Sequence, residues 1–269
     1  MATTVSADLF KNLVAMVAEN YTINSAETLE NFQYGVSKYT QYIFMQDPLI
    51  DNEVNWEHEY KSQENILAEL NQTYRDAINK LCTVFPSDHE FWEFLSEEEK
   101  IYYNYIVKEK YQSLYKLALT SDDFEQMAFA KHCLALVPMK GLEWLYMSNT
   151  SYDDLKTLFQ HIFNGIQMMD DIDDFTKDRA IGQWNLIQYE VDTIIKENNL
   201  NNDGQLDKFE ERVFYASGLC LEKTEYVFNQ YQLALNKAKE FSLKYLTQWL
   251  QHMLNELQIS IAKVKEIMA

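Results

Sequence analysis

The chain has 269 residues, a formal net charge of −19, 47% hydrophobic residues, and 6 Gly and 3 Pro in all. So few turn-formers would starve a sheet-rich fold of its hairpins, and the acidic balance excludes the basic face that nucleic acid or an anionic membrane surface requires. With three arginines, Arg75, Arg179 and Arg212, an anionic substrate would be left to lysines or metal ions.

Helix signals follow one another along the chain and predict an all-α fold. Leu9, Phe10, Leu13, Val14 and Val17 recur at helical spacing between about Ser6 and Asn20. A second helix is expected after Ser25, running towards Met45 and broken at Asp47-Pro48. A long third one is expected from about Asn55 to Val84. Ser87–Glu90 and Ser96–Glu99 read as capping boxes, predicting a short helix followed by a longer one. Ser121 opens a segment that bends at Pro138 and Gly141, and Ser151-Tyr-Asp-Asp154 starts the next helix. Another helix is expected over Asn185–Asn198. After the polar loop Asn199–Gly204 the helical pattern continues to the end, with a break near Lys239–Ser242. No linker or internal repeat divides the chain, so residues 1–269 are read as one domain.

Cys82, Cys133 and Cys220 form no paired motif and read as reduced core residues. The opening Met-Ala-Thr-Thr lacks a basic region followed by an apolar run, and no stretch suits a bilayer span. A cytoplasmic protein without membrane insertion is expected. His132 and His161 stand alone, without a His or Cys at zinc-ligand spacing.

Chemistry concentrates in Gly165–Arg179. On a helix, Gln167, Asp170, Asp171, Asp174 and Asp178 share about a third of the circumference. Carboxylates crowded on one face repel one another, and helix propensity offers no compensation. A hard divalent cation does, because it takes carboxylate oxygens and shares its remaining positions with water and phosphate. Upstream, the same face continues as Phe163 and Phe159, an expected aromatic wall flanked by Gln160 and Asn164. Lys177 and Arg179 sit beside the acidic rim, placed to pair with phosphate oxygens. Lys131, in an otherwise apolar segment, either meets a diphosphate in a polar cavity or snorkels to the surface.

The run Gln167-Met-Met-Asp170-Asp171-Ile-Asp173-Asp174 resembles the second aspartate-rich motif of the class I isoprenoid (terpenoid) synthases. Gly182 and the hydrophobic stretch after Asn185 extend the likeness to polyprenyl and squalene synthase-type members over about 30 residues. The resemblance implies an antiparallel helical bundle around a deep apolar cavity. It implies that Asp170, Asp171 and Asp174 act catalytically by binding Mg²⁺ or Mn²⁺, with Asp178 assisting, and that the substrate is an allylic prenyl diphosphate, C15 or C20. A homodimer is the family's habit. The family also carries a facing upstream motif, and this chain has no clean Asp-Asp-x-x-Asp there. The candidates are Asp47-Pro-Leu-Ile-Asp51, spaced like the squalene synthase-type Asp-x-x-x-Asp, Asp122-Asp123 with Gln126, and Glu57, Glu59 or Glu64. The basic cluster that seats a second diphosphate in chain-elongating members is missing, which favours a one-substrate terpene synthase over a prenyltransferase or head-to-head condensing enzyme.

A rival motif spans Asn199–Glu210. Asn199, Asn201, Asp203 and Asp207 occupy the first, third, fifth and ninth positions of a calcium loop, with Gly204 sixth and Glu210 twelfth. It leaves open a non-catalytic, calcium-responsive helical protein.

Overall fold

A computed structural model describes residues 9–51, 53–62, 65–201 and 206–268. The described chain is 81% helical, and the all-α expectation holds. In order, the helices are α1 (Leu13–Val17), α2 (Ala26–Ile50), α3 (Trp56–Ser62), α4 (Ile66–Leu81), α5 (Glu90–Tyr115), α6 (Ser121–His132) and α7 (Leu136–Leu145). Then come α8 (Tyr152–Asp173), α9 (Phe175–Ile181), α10 (Leu186–Glu197), α11 (Phe209–Ala216), α12 (Leu219–Glu240) and α13 (Lys244–Met268). Two-residue strands, Tyr21–Thr22 and Met147–Ser148, pair antiparallel and tie the N-terminal region to the turn before α8.

Local chemistry sets most helix starts. The Ser25 hydroxyl accepts from Thr28 N–H to open α2, and Ser151 accepts from Asp154 N–H to open α8. Each satisfies one of the amides that a helix N-terminus leaves without a partner. At α6 the cap is Thr120, one residue ahead of the expected Ser121, in a reciprocal capping box with Asp123. Ser87 and Ser96 open no helix. His89 Nδ1 accepts from Phe91 N–H instead, and α5 then runs unbroken through Ser96 for 26 residues. The expected third helix is two, α3 and α4, the second capped by Asn65. The bend after α6 is a 3₁₀ turn over Cys133–Ala135, so Pro138 and Gly141 lie inside α7.

One departure matters for function. Pro48 does not break α2 but sits in its last turn. Downstream amides still find carbonyls, Asp51 N–H donating to Asp47 at 2.9 Å, so Asp47 and Asp51 stand one turn apart on the same helix.

One continuous hydrophobic core runs from Leu9 to Val264. The amphipathic α8 is its axis, burying Leu155, Leu158, Phe159, Ile162, Phe163 and Ile166. It packs on α12, which packs in turn on α13, while α2 packs on α4. Close approach requires glycine where α8 meets α12, since a β-carbon on Gly165 would overlap the Tyr231 ring. No described helix is long and apolar enough to cross a membrane. Cys133 and Cys220 are buried and free as expected, but Cys82, at the exposed end of α4, is not a core residue.

Candidate functional site

A cavity of about 360 Å³ opens between α2, α5, α6 and α8, within the range of small-molecule sites. Three helices contribute a stripe each. Tyr39, Ile43, Asp47 and Asp51 line it from α2 and its C-cap, spaced four apart. Tyr102, Ile106 and Glu109 do so from α5, and Ile166, Gln167, Asp170, Asp171 and Asp174 from α8 and its C-cap. These spacings keep each set on one helix face. The α2 and α8 stripes share one design, apolar below and acidic at the helix's C-terminal end. Acids there face the negative end of the helix dipole, an arrangement costing roughly 0.3–1 kcal/mol each.

The expected cluster of Gln167, Asp170, Asp171, Asp174 and Asp178 does come together on the cavity wall, although not on one straight helix. Asp174 ends α8 and precedes α9, and Asp178 N–H still bonds the Asp174 carbonyl at 2.8 Å. Gln167 Nε2 donates to Asp171 Oδ1 at 2.8 Å, whereas the buried Asp171 Oδ2 has no hydrogen-bond partner among the described residues. Asn185 caps α10 through its oxygen and donates through Nδ2 to Asp178 Oδ2 at 3.0 Å. Gly182, at φ +77°, ends α9 in the left-handed conformation that glycine tolerates, and the next residue, Gln183, joins the cavity rim.

Of the upstream candidates, Asp47 and Asp51 reach the cavity. Asp123 is spent on the α6 cap, Glu57 pairs with Lys61 on the surface, and Glu59 accepts from Ile66 N–H. Glu64 lies outside the described residues. Tyr102 donates to Asp47 Oδ1 at 3.4 Å, and Lys110 pairs with Asp51.

The electrostatics follow from acids gathered in a recess. Burial, then Asp174 and Asp170, raises Asp178 to about 7. Burial raises Asp170, with Asp174 and Asp173 adding to it, and raises buried Asp171 well above the carboxylate range. Asp47 opens towards the cavity mouth, yet the surrounding walls exclude enough water to raise it to about 6, with Asp51 and Asp170 contributing. Each of these groups resists carrying its charge without a cation nearby.

Lys131 faces this cavity rather than the surface, with its Nζ 3.0 Å from Glu109 Oε1. Burial alone would lower its pKa, but Glu109, Asp171 and Asp170 hold it above the usual lysine value. Lys177 stands at the rim, 3.0 Å from Glu53 and 3.7 Å from Asp174.

Three expected site residues lie elsewhere. Arg179 is turned towards α10, where it meets Asp192 at 2.6 Å and Gln188 at 3.3 Å, with Glu210 at 3.8 Å. The kink at Asp174 points it away from the acidic rim. Phe159 and Phe163 form no cavity wall. Both are fully buried, and Phe10 and His132 lie across Phe163, closing it off from the cavity that they line themselves. The sequence stripe was right for α8 alone, but another helix and the N-terminal segment supply the covering rings.

Residues that the sequence left unassigned also line the site: Tyr102, Glu109, His132 and Glu53. For the first two a signal existed, since Tyr102, Ile106 and Glu109 keep helical spacing. Only assembly shows that this face meets the aspartates. The calcium-loop pattern falls partly outside the described residues, Asp203 and Gly204 among them.

The donor set suits a hard cation. Asp47, Asp51, Asp170, Asp171, Asp174 and Asp178 offer carboxylate oxygens from two sides of one cavity, including the unpartnered Asp171 Oδ2. Among the described residues no three such side chains converge closely enough to hold a metal ion by themselves. Mg²⁺ commonly binds through one or two carboxylates plus water and substrate phosphate, so it needs no complete protein cage. No family model, curated protein or solved structure gives a significant match to this chain.

Proposed function

We propose that the chain is a magnesium-dependent terpene synthase of the class I isoprenoid type, ionising an allylic prenyl diphosphate of 15 or 20 carbons. One observation carries this reading: acidic C-terminal ends of two separate helices, α2 and α8, face each other across the mouth of one cavity with apolar walls beneath. A surface acidic patch needs no partner patch and no cavity. A diphosphate head with a hydrocarbon tail matches both halves of the site.

Asp47 and Asp51 on one side and Asp170, Asp171 and Asp174 on the other would hold Mg²⁺, with Mn²⁺ as a substitute and Asp178 in support. The metal supplies Lewis-acid neutralisation of the leaving diphosphate. Lys131 and Lys177 offer fixed positive charge to diphosphate oxygens. Asn185 holds Asp178, Gln167 holds Asp171, and Tyr102 donates to Asp47. Ile43, Phe44 and Leu134 give the tail an apolar wall that excludes water.

Among the described residues lining the cavity, Lys131 and Lys177 are the permanent cations, and both already have acidic partners. That favours one diphosphate substrate over two. The test is diphosphate release from C10, C15 and C20 allylic diphosphates, each alone, with Mg²⁺ or with EDTA. Metal-dependent release from one of them, abolished by Asp170→Ala, is expected. Release that requires a second substrate would identify a condensing enzyme instead, and no reaction under either regime would overturn the synthase reading.

A further inference from the structure

His132 ends α6 on the cavity wall. Its ring packs near-parallel to two phenyl rings, Phe10 at 5.6 Å and 20° and Phe163 at 5.3 Å and 17°, which lie 6.4 Å from each other, so the three rings form a triangular cluster. Nδ1 lies 2.8 Å from the Ala128 carbonyl oxygen. A carbonyl only accepts, so Nδ1 carries a hydrogen and donates it. In a neutral imidazole that leaves Nε2 with its lone pair free. Among the described residues nothing hydrogen-bonds Nε2. Burial disfavours the imidazolium and lowers its pKa to about 4, with Lys131 adding to the effect. A third phenyl ring would complete the aromatic cluster equally well. What the histidine adds is a basic nitrogen beside a cavity with apolar walls.

We propose that His132 is the catalytic base that ends the reaction, its Nε2 taking a proton from the carbon next to the cationic centre. This rests on the synthase reading above. The step balances: the C–O electron pair leaves with diphosphate, and the neighbouring C–H pair becomes the new C=C bond. The proton passes to Nε2, and the imidazolium, disfavoured by burial, hands it to diphosphate or water. The products are an alkene, diphosphate and one proton. The Nε2 lone pair lies in the ring plane and the Nδ1 bond to Ala128 fixes that plane, which restricts which C–H bond is reached, so the same residue would select the double-bond position.

The experiment uses the full chain with Mg²⁺ and whichever allylic diphosphate it ionises, measuring diphosphate release and hydrocarbon products together. His132→Phe keeps the aromatic cluster and removes the base, and His132→Gln, neutral and non-basic, repeats the test if the phenyl ring misfolds. Release is expected to stay within about threefold of wild type. The alkene share should fall at least about tenfold, replaced by the alcohol formed when water captures the cation. A purely structural role would slow release and leave the product ratio unchanged. Wild-type alkene ratios in a folded variant would overturn the role of His132 and leave the synthase reading standing. Wild-type protein that releases no diphosphate would overturn both.

Discussion

Asp178 shows what one residue contributes to this site and what it costs. It is buried, held by Asn185 and raised to about 7 by burial and the charges of Asp174 and Asp170. A carboxyl raised above its unfolded value binds its proton more tightly in the native state. Its stabilising contribution is therefore complete below about pH 4 and lost as pH rises towards 7. His132 acts with the opposite sign, because its lowered pKa makes the native state less stable as pH falls below 6.5. A variant difference isolates the aspartate. Relative to Asp178→Asn, the metal-free wild type should lose on the order of 2–4 kcal/mol between pH 4 and pH 7.5. Urea denaturation at the two pH values measures this, and a difference that does not change with pH would contradict it. Lys131 moderates the same cluster, which explains why a lysine lies in a recess rather than at the surface.

At the scale of elements, the packing of α8 on α12 sets where the aspartates stand. Gly165 lies against the Tyr231 ring with no room for a β-carbon. Gly165→Ala should therefore destabilise the protein by about 1–3 kcal/mol despite alanine's better helix propensity. Thermal melting checks this, and a stabilised variant would mean that the two helices are not so closely packed. The sequence made α8 legible because its apolar spacing, its Ser151 cap and its aspartates all agree on one helix. Pro48 and Ser96 misled for opposite reasons. A proline near a helix end removes one amide and leaves later ones bonded, so α2 persists to Ile50. A serine with a glutamate three residues later suits a helix start, yet flanking apolar residues packed in the core carry α5 straight through. Phe159 and Phe163 were placed on the right face, but which residues cover that face depends on long-range packing that no local spacing encodes.

For the molecule as a whole, the sequence offers Asp47 and Asp51 only as one of several candidates to face the α8 aspartates, with nothing local to choose among them. Asp47-x-x-x-Asp51 has the squalene synthase-type spacing but is expected to be broken by Pro48, and about 120 residues separate it from Asp170. Its meaning emerges only when the fold sets two acidic helix ends at one cavity mouth. Such an arrangement repels itself when its carboxylates are charged and no cation lies near. The most direct measurement is calorimetric binding of inorganic diphosphate to wild type, Asp47→Asn and Asp170→Asn, with and without Mg²⁺. Binding is expected only when Mg²⁺ is present, weakened at least about tenfold, or roughly 1.4 kcal/mol, by either substitution alone. Diphosphate binding that needs no Mg²⁺, or that ignores Asp47→Asn while responding to Asp170→Asn, would contradict a shared two-helix site.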